Sequence, residues 1–133
     1  MVMHMQKFTD EYFRQRLTPE QYSVLREKRT EPPFTGKYLK HRKRGEYTCA
    51  ACGQVLFTSD TKYDSGSGWP SFYDLVDEGS VILQDDFSHG MARIEVLCSN
   101  CGSHLGHLFD DETNPTGKYY CINSCALDFK KKA

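Results

Sequence analysis

Two short repeats constrain this chain more than any other feature. They are Cys49-Ala50-Ala51-Cys52 and Cys98-Ser99-Asn100-Cys101, separated by 45 residues and each followed directly by glycine, Gly53 and Gly102. A Cys-x-x-Cys turn places two thiolates on one side of a tight knuckle, and the glycine lets the backbone leave it. Two knuckles face to face supply four sulfurs in a tetrahedron, the arrangement that structural zinc prefers. The expectation is one structural zinc per chain, held by Cys49, Cys52, Cys98 and Cys101, tying two distant parts of a sheet together. The rivals are a thioredoxin-like redox pair, four unrelated buried thiols and an iron–sulfur cluster. No strand–helix–strand pattern surrounds either motif to support the redox pair.

A metal is preferred over disulfides because of the expected compartment. No apolar run approaches the ~18 residues that cross a bilayer, and Met1 to Asp10 has no apolar stretch fit for a signal peptide. A cytoplasmic location follows, where thiols stay reduced. Seventeen Lys and Arg against eighteen Asp and Glu give a net charge of -1. The positive excess on which nucleic-acid and membrane-surface binders rely is missing, so neither partner is expected. The run Lys40-His41-Arg42-Lys43-Arg44, near Tyr38 and Tyr47, is the best support for the competing reading, a zinc-knuckle binding module. A solvated turn between strands explains it more simply.

At 133 residues the chain is expected to form a single domain, 1–133, with flexible ends at 1–7 and 130–133. Thr18-Pro19-Glu20-Gln21 is a capping box with proline at the first helical position, so a helix should run from there to Arg29. Pro32-Pro33 forbids its continuation, and a shorter helix is expected over Asp10 to Arg16. From Lys37 onward, short apolar runs alternate with Gly, Asp, Ser and Asn. Val55-Leu56-Phe57, Val81-Ile82-Leu83, Tyr119 to Ile122 and the period-two Arg93-Ile94-Glu95-Val96 read as strands, the last of them half-buried. The fold class is mainly β, with short antiparallel strands and a short N-terminal helical segment.

A closed tetrathiolate site has no open coordination position, so chemistry must lie elsewhere. Cys121 and Cys125 are the remaining thiols. On a strand, Cys121 and Asn123 would share a face, giving a thiol with an amide helper, although a buried inert cysteine is equally compatible. His104 and His107 are candidate proton donors, but strand spacing puts them on opposite faces unless Gly106 marks a bulge. Ser65-Gly66-Ser67-Gly68-Trp69-Pro70-Ser71-Phe72 places the only tryptophan in a glycine-rich loop, where it either binds something or folds back onto the core.

Taken together, these segments resemble the methionine sulfoxide reductase B family, which reduces the R epimer of methionine sulfoxide in proteins. The resemblance rests on Leu17 to Tyr22, Thr30 to Phe34, both Cys-x-x-Cys pairs, Ser65 to Phe72, Gly90 to Arg93, His104 to His107 and Cys121 to Ser124. It implies two antiparallel sheets with N-terminal helices, Cys121 as nucleophile, His104, His107 and Asn123 in the active site, and zinc on the four paired cysteines. It also implies that Trp69 receives the substrate methyl, that Asp111 takes part, that a sulfenic acid forms on Cys121, and that thioredoxin or another thiol reduces it in a monomeric repair enzyme. Two departures stand out. Many members carry a resolving cysteine where this chain has Ser67, and arginine is usual where it has Tyr119. Cys125 is then the candidate resolving thiol, though an extended strand would hold it too far from Cys121, and direct reduction by an external thiol is expected.

Overall fold

The computed structural model describes residues 8–132. Residues 1–7 and 133, part of the ends expected to be flexible, lie outside the described residues. Helix α1 (Asp10–Arg16) is capped by Thr9, whose hydroxyl accepts from the Tyr12 N–H, and helix α2 (Pro19–Glu27) opens on the Thr18–Gln21 capping box. Helix α2 stops two residues short of the expected Arg29 because Lys28 adopts a left-handed conformation, φ 61°.

Among the described residues nine strands follow: β1 (Gly45–Cys49), β2 (Val55–Thr58), β3 (Lys62–Tyr63), β4 (Ser71–Phe72), β5 (Val81–Asp86), β6 (Arg93–Cys98), β7 (His104–Asp110), β8 (Lys118–Ile122) and β9 (Leu127–Lys131). They form a three-stranded sheet, β2-β1-β9, and a six-stranded sheet, β3-β4-β8-β7-β6-β5. Every pairing is antiparallel. The mainly β architecture of two antiparallel sheets is thus as the sequence reads. Within the C-terminal end expected to be flexible, Lys130 and Lys131 pair with Glu46 and Gly45.

The core lies where the sheets meet. Phe57 stacks on Phe72 at 4.3 Å between ring centres, and Tyr47 meets the same ring edge-on at 5.1 Å. Tyr120, Ile122, Leu105 and Val96 complete it from the larger sheet. Aromatic rings dominate because each buries a large apolar area at little conformational cost. The opposite face of the larger sheet is also covered. Helix α2 and the strap that follows it, residues 28–36, are fastened there by Lys28 to Glu95, Glu31 N–H to Asn123 and Phe34 N–H to Gly68. This corrects the half-buried reading of β6: Glu95 is only 3% exposed, because the strap roofs the face that alternation assigned to solvent.

Candidate active site and metal centre

The two knuckles sit at the ends of β1 and β6. Gly53 and Gly102, at φ 85° and 78°, return their N–H groups to the Cys49 and Cys98 carbonyls at 2.7 and 2.8 Å. A side chain there would strain the left-handed backbone, so glycine is needed. The four sulfurs converge within 4.8 Å of one another. The Cys49–Cys101 and Cys52–Cys98 sulfur separations are 3.8 and 3.6 Å, and all four thiols are free of disulfides. A tetrahedron with Zn–S bonds of ~2.3 Å has edges of roughly 3.8 Å, so the cluster has the size of a tetrathiolate metal site. Hydrogen bonds among the four thiols divide them, drawing Cys52 and Cys101 below the usual thiol range and pushing Cys49 and Cys98 above it. Both helices brace the knuckles: Arg26 reaches the Cys101 carbonyl, Arg16 the Ala50 carbonyl and Tyr12 the Ala51 carbonyl.

The second centre lies on the roofed face of the larger sheet. Register places Ser71, Cys121, His107 and Glu95 in one row across β4, β8, β7 and β6. Directly opposed residues of antiparallel strands share a face, so the row points away from the aromatic core. Tyr120 and Ile122, flanking Cys121, are buried in that core instead. A cleft of about 70 Å³ opens on this row, lined by Thr30, Trp69, Arg93, Gly106, His107, Phe109, Cys121 and Asn123. A wider hollow of about 290 Å³ beside Arg44 and Lys130 contains neither thiol nor imidazole.

The histidines meet through a bulge. Val96 pairs with Gly106 but Leu97 pairs with His104, which makes Leu105 the extra residue of β7. The bulge moves His104 onto the face of His107, their ring centres 5.5 Å apart. Regular spacing would have separated them. Gly106 permits the close approach, since a Cβ there would lie 1.9 Å from the Cys121 carbonyl oxygen.

Each histidine has a carboxylate that sequence reasoning missed. His107 Nε2 lies 2.8 Å from Asp86, the last residue of β5, and this contact together with the Ser88 hydroxyl and N–H holds the Asp86 carboxyl far below its usual range. His104 Nδ1 lies 2.7 Å from Glu95, while burial pulls His104 down and Glu95 partly restores it. His104 Nε2 is buried with no protein partner. Nothing local in the sequence marks Asp86. A carboxylate inside the alternating apolar β6 was a signal for Glu95.

Asn123 and Trp69 are both tied to the strap. Asn123 Oδ1 accepts the Glu31 N–H at 3.0 Å and Nδ2 donates to the Leu105 carbonyl at 3.1 Å, so the amide couples the strap to the bulge. The Trp69 indole N–H donates to the Glu31 carbonyl at 3.0 Å, which stands the ring against the cleft. Burial pushes the Cys121 thiol up and Glu31 adds to the rise, whereas the Ser67 hydroxyl at 3.6 Å opposes it.

Two expected participants, Cys125 and Asp111, do not line the cleft, nor does Tyr119, which stands where arginine is usual. Cys125 follows Cys121 through the 3-10 turn Ser124–Ala126 and faces a different hollow, lined by Thr18, Gln21, Glu31 and Lys37. Burial and the Glu31 carboxylate push its thiol to about 12. Asp111 is engaged by the Tyr63 and Thr113 hydroxyls in the β7–β8 turn. Tyr119 packs edge-on against Tyr63 and beside Phe109.

Comparison with known proteins places the chain among relatives. Residues 17–131 match the SelR domain. The chain is 60% identical over 124 residues to a peptide methionine sulfoxide reductase from Leptospira interrogans, covering 93% of this chain and 95% of that protein. It is 59% identical over 122 residues to the Methanosarcina barkeri protein of the same name, covering 92% and 86%. To the mouse mitochondrial methionine-R-sulfoxide reductase B3 it is 54% identical over 92% of this chain, which is 48% of the mouse protein. Among solved structures, the Mis18 "Yippee-like" domain shares the fold at TM-score 0.55 and 19% identity, over 68% of this chain and 99% of that one.

Proposed function

The chain belongs to the SelR domain family and is a methionine-R-sulfoxide reductase; from that premise we propose that its chemistry runs through Cys121 on the roofed face of the larger sheet. One observation carries this assignment: a thiol, an imidazole and an indole line the same cleft. Sulfoxide sulfur is electrophilic, and its oxygen leaves only with protons. The Cys121 thiolate attacks that sulfur while His107 protonates the oxygen. The net transfer converts Cys121 S–H and a sulfoxide into Cys121 S–OH and a thioether, so the cysteine is oxidised by two electrons and the substrate reduced by two.

The hydrogen bonding supports these roles. A neutral His107 that donates from Nε2 to Asp86 leaves Nδ1 as an acceptor, so a donating Nδ1 belongs to the imidazolium, which Asp86 stabilises. His104, fixed by Glu95, offers a second nitrogen at Nε2. Asn123 positions the strap carrying Glu31, and hence the Trp69 ring that receives the methyl group. Exchanging methyl and oxygen would turn the oxygen toward the indole and away from its proton donor, which favours one epimer.

Two external thiols then return Cys121 S–OH to Cys121 S–H, releasing water and leaving their own sulfurs as a disulfide. The separate setting and poorly ionised thiol of Cys125 favour this route, with thioredoxin as donor, over an internal disulfide. The metal of the four-cysteine site is zinc in this reading. Being closed, it holds the fold together and takes no part in any step. The enzyme acts in the cytoplasm as a monomer; no helix among the described residues is long and apolar enough to cross a membrane.

Turnover of separated R and S sulfoxide epimers with dithiothreitol tests the assignment. Wild type should consume the R epimer alone, and Cys121→Ser neither while retaining its metal. Cys125→Ser should match wild type with thioredoxin as donor. Turnover by Cys121→Ser would remove the assigned nucleophile, and thioredoxin-driven turnover collapsing in Cys125→Ser would make Cys125 the resolving residue.

A further inference from the structure

The loop that presents Trp69 also brings three serines together behind the Cys121 sulfur. Ser67 Oγ lies 3.6 Å from Cys121 Sγ. Ser65 Oγ donates to Ser67 Oγ at 2.9 Å, and Ser65 and Ser71 hydroxyls are 2.7 Å apart. Ser71 is fully buried and opposes Cys121 in the β4–β8 register. Each hydroxyl owns one proton. When Ser65 gives its proton to Ser67, the Ser71 proton has two acceptors, the Ser65 oxygen at 2.7 Å and the Trp69 carbonyl at 3.0 Å, and the shorter contact directs it to Ser65. Ser67 then accepts from the Ser65 hydroxyl and, at 3.4 Å, from the Trp69 N–H, which fills its two lone pairs. Its own proton has two acceptors within reach, the Trp69 carbonyl at 3.4 Å and the Cys121 sulfur. An anionic sulfur takes it, because hydrogen bonds to charged acceptors are the stronger ones.

We propose that Ser67 is a catalytic residue whose hydroxyl donates to the Cys121 thiolate, with Ser65 and Ser71 as positioning residues that polarise it. The proposal rests on Cys121 being the nucleophile. Among the charged and titratable groups facing Cys121, Glu31 from the strap opposes an anion there, and Tyr119 from β8 carries no positive charge. Glu95 from β6 lies behind His107 in the same row. Arg93, the one arginine lining the cleft, has its Nη2 3.7 Å from an Asp86 oxygen. His107 from β7 serves the sulfoxide oxygen. The Ser67 hydroxyl is thus the donor in contact with the sulfur, and aligned donors reinforce one another. After oxygen transfer the same proton faces the sulfenate.

The test is the pH profile of iodoacetamide alkylation at Cys121, read by mass spectrometry of its peptide so that the other five cysteines do not interfere. Ser67→Ala should lower the rate near pH 7 about tenfold with an unchanged plateau at high pH, as expected when an anion loses one hydrogen bond worth ~1.4 kcal/mol. Ser67→Thr keeps the hydroxyl and should restore most of the rate, while Ser65→Ala should shift the profile the same way by less. Metal content and melting temperature confirm that each variant is folded. A Ser67→Ala profile superimposable on wild type would overturn the proposal, as would equal losses in Ser67→Ala and Ser67→Thr. Alkylation needs no sulfoxide, so these outcomes are separate from the epimer assay.

Discussion

Individual residues at the cleft differ in how far their neighbours explain them. Cys121, His107 and Trp69 are recognisable as chemical groups, but Asp86 acquires meaning only by its contact with His107. Asp86→Asn keeps the shape and removes the carboxylate charge that faces His107. We expect kcat/KM for the R epimer to fall between about 10- and 100-fold, a part of what a general acid supplies. Stability adds an independent readout. The folded Asp86 carboxyl titrates below its unfolded value of ~3.9, so its contribution is complete above that pH and fades as pH falls through the folded value. The melting-temperature gap between wild type and Asp86→Asn should therefore be present at pH 7 and narrow in acid. A constant gap would deny the ionised Asp86–His107 pair.

At the scale of elements, the bulge in β7 and the strap after α2 turn a flat sheet face into a site. The bulge brings His104 beside His107, and the strap carries Glu31 over both Trp69 and Asn123. Beside the bulge, β7 and β8 approach closely at Gly106. Gly106→Ala would place a methyl against the Cys121 carbonyl, a backbone atom that moves only if the strands part. The expected cost is about 3 kcal/mol, seen as a fall in Tm of about 10 °C. Turnover should be lost even below the melting transition, because Cys121 is the displaced residue. A variant that melts and turns over like wild type would mean that the strands yield freely.

For the whole molecule, the four-cysteine site holds a β1–β2 knuckle of the small sheet to a β6–β7 knuckle of the large one. Metal binding to such a site is folding free energy, since no preformed site survives unfolding. Bound metal should analyse as one zinc per chain. Removing it with a strong chelator, or making Cys98→Ser, should unfold the chain, read by loss of near-ultraviolet circular dichroism and of the thermal transition. A metal-free chain melting as before would show that the aromatic core alone suffices. Proteolytic nicking in the metal-free state should then spread over both sheets rather than stay at one knuckle.

The sequence by itself determined whatever depends on local spacing. The capping box at Thr18, the two knuckles with their glycines, the strands read at Val55, Val81, Arg93 and Tyr119, and the loop around Trp69 all follow from a few adjacent residues, and short-range sterics and hydrogen bonding act at that range. The motif order likewise made the family legible. Only the tertiary structure decided which groups meet across strands. Alternation along β7 separated the histidines until a bulge, set by pairing with β6, joined them. A buried Glu95 looked solvent-facing until the strap roofed it, and Cys125, read on an extended strand, instead follows a 3-10 turn and lines another hollow. Ser67, a mere departure in sequence, lies at the sulfur because β4 pairs with β8 and brings the Trp69 loop to Cys121. Strand register and chain crossing create these contacts, and neither is written in the spacing of any single segment.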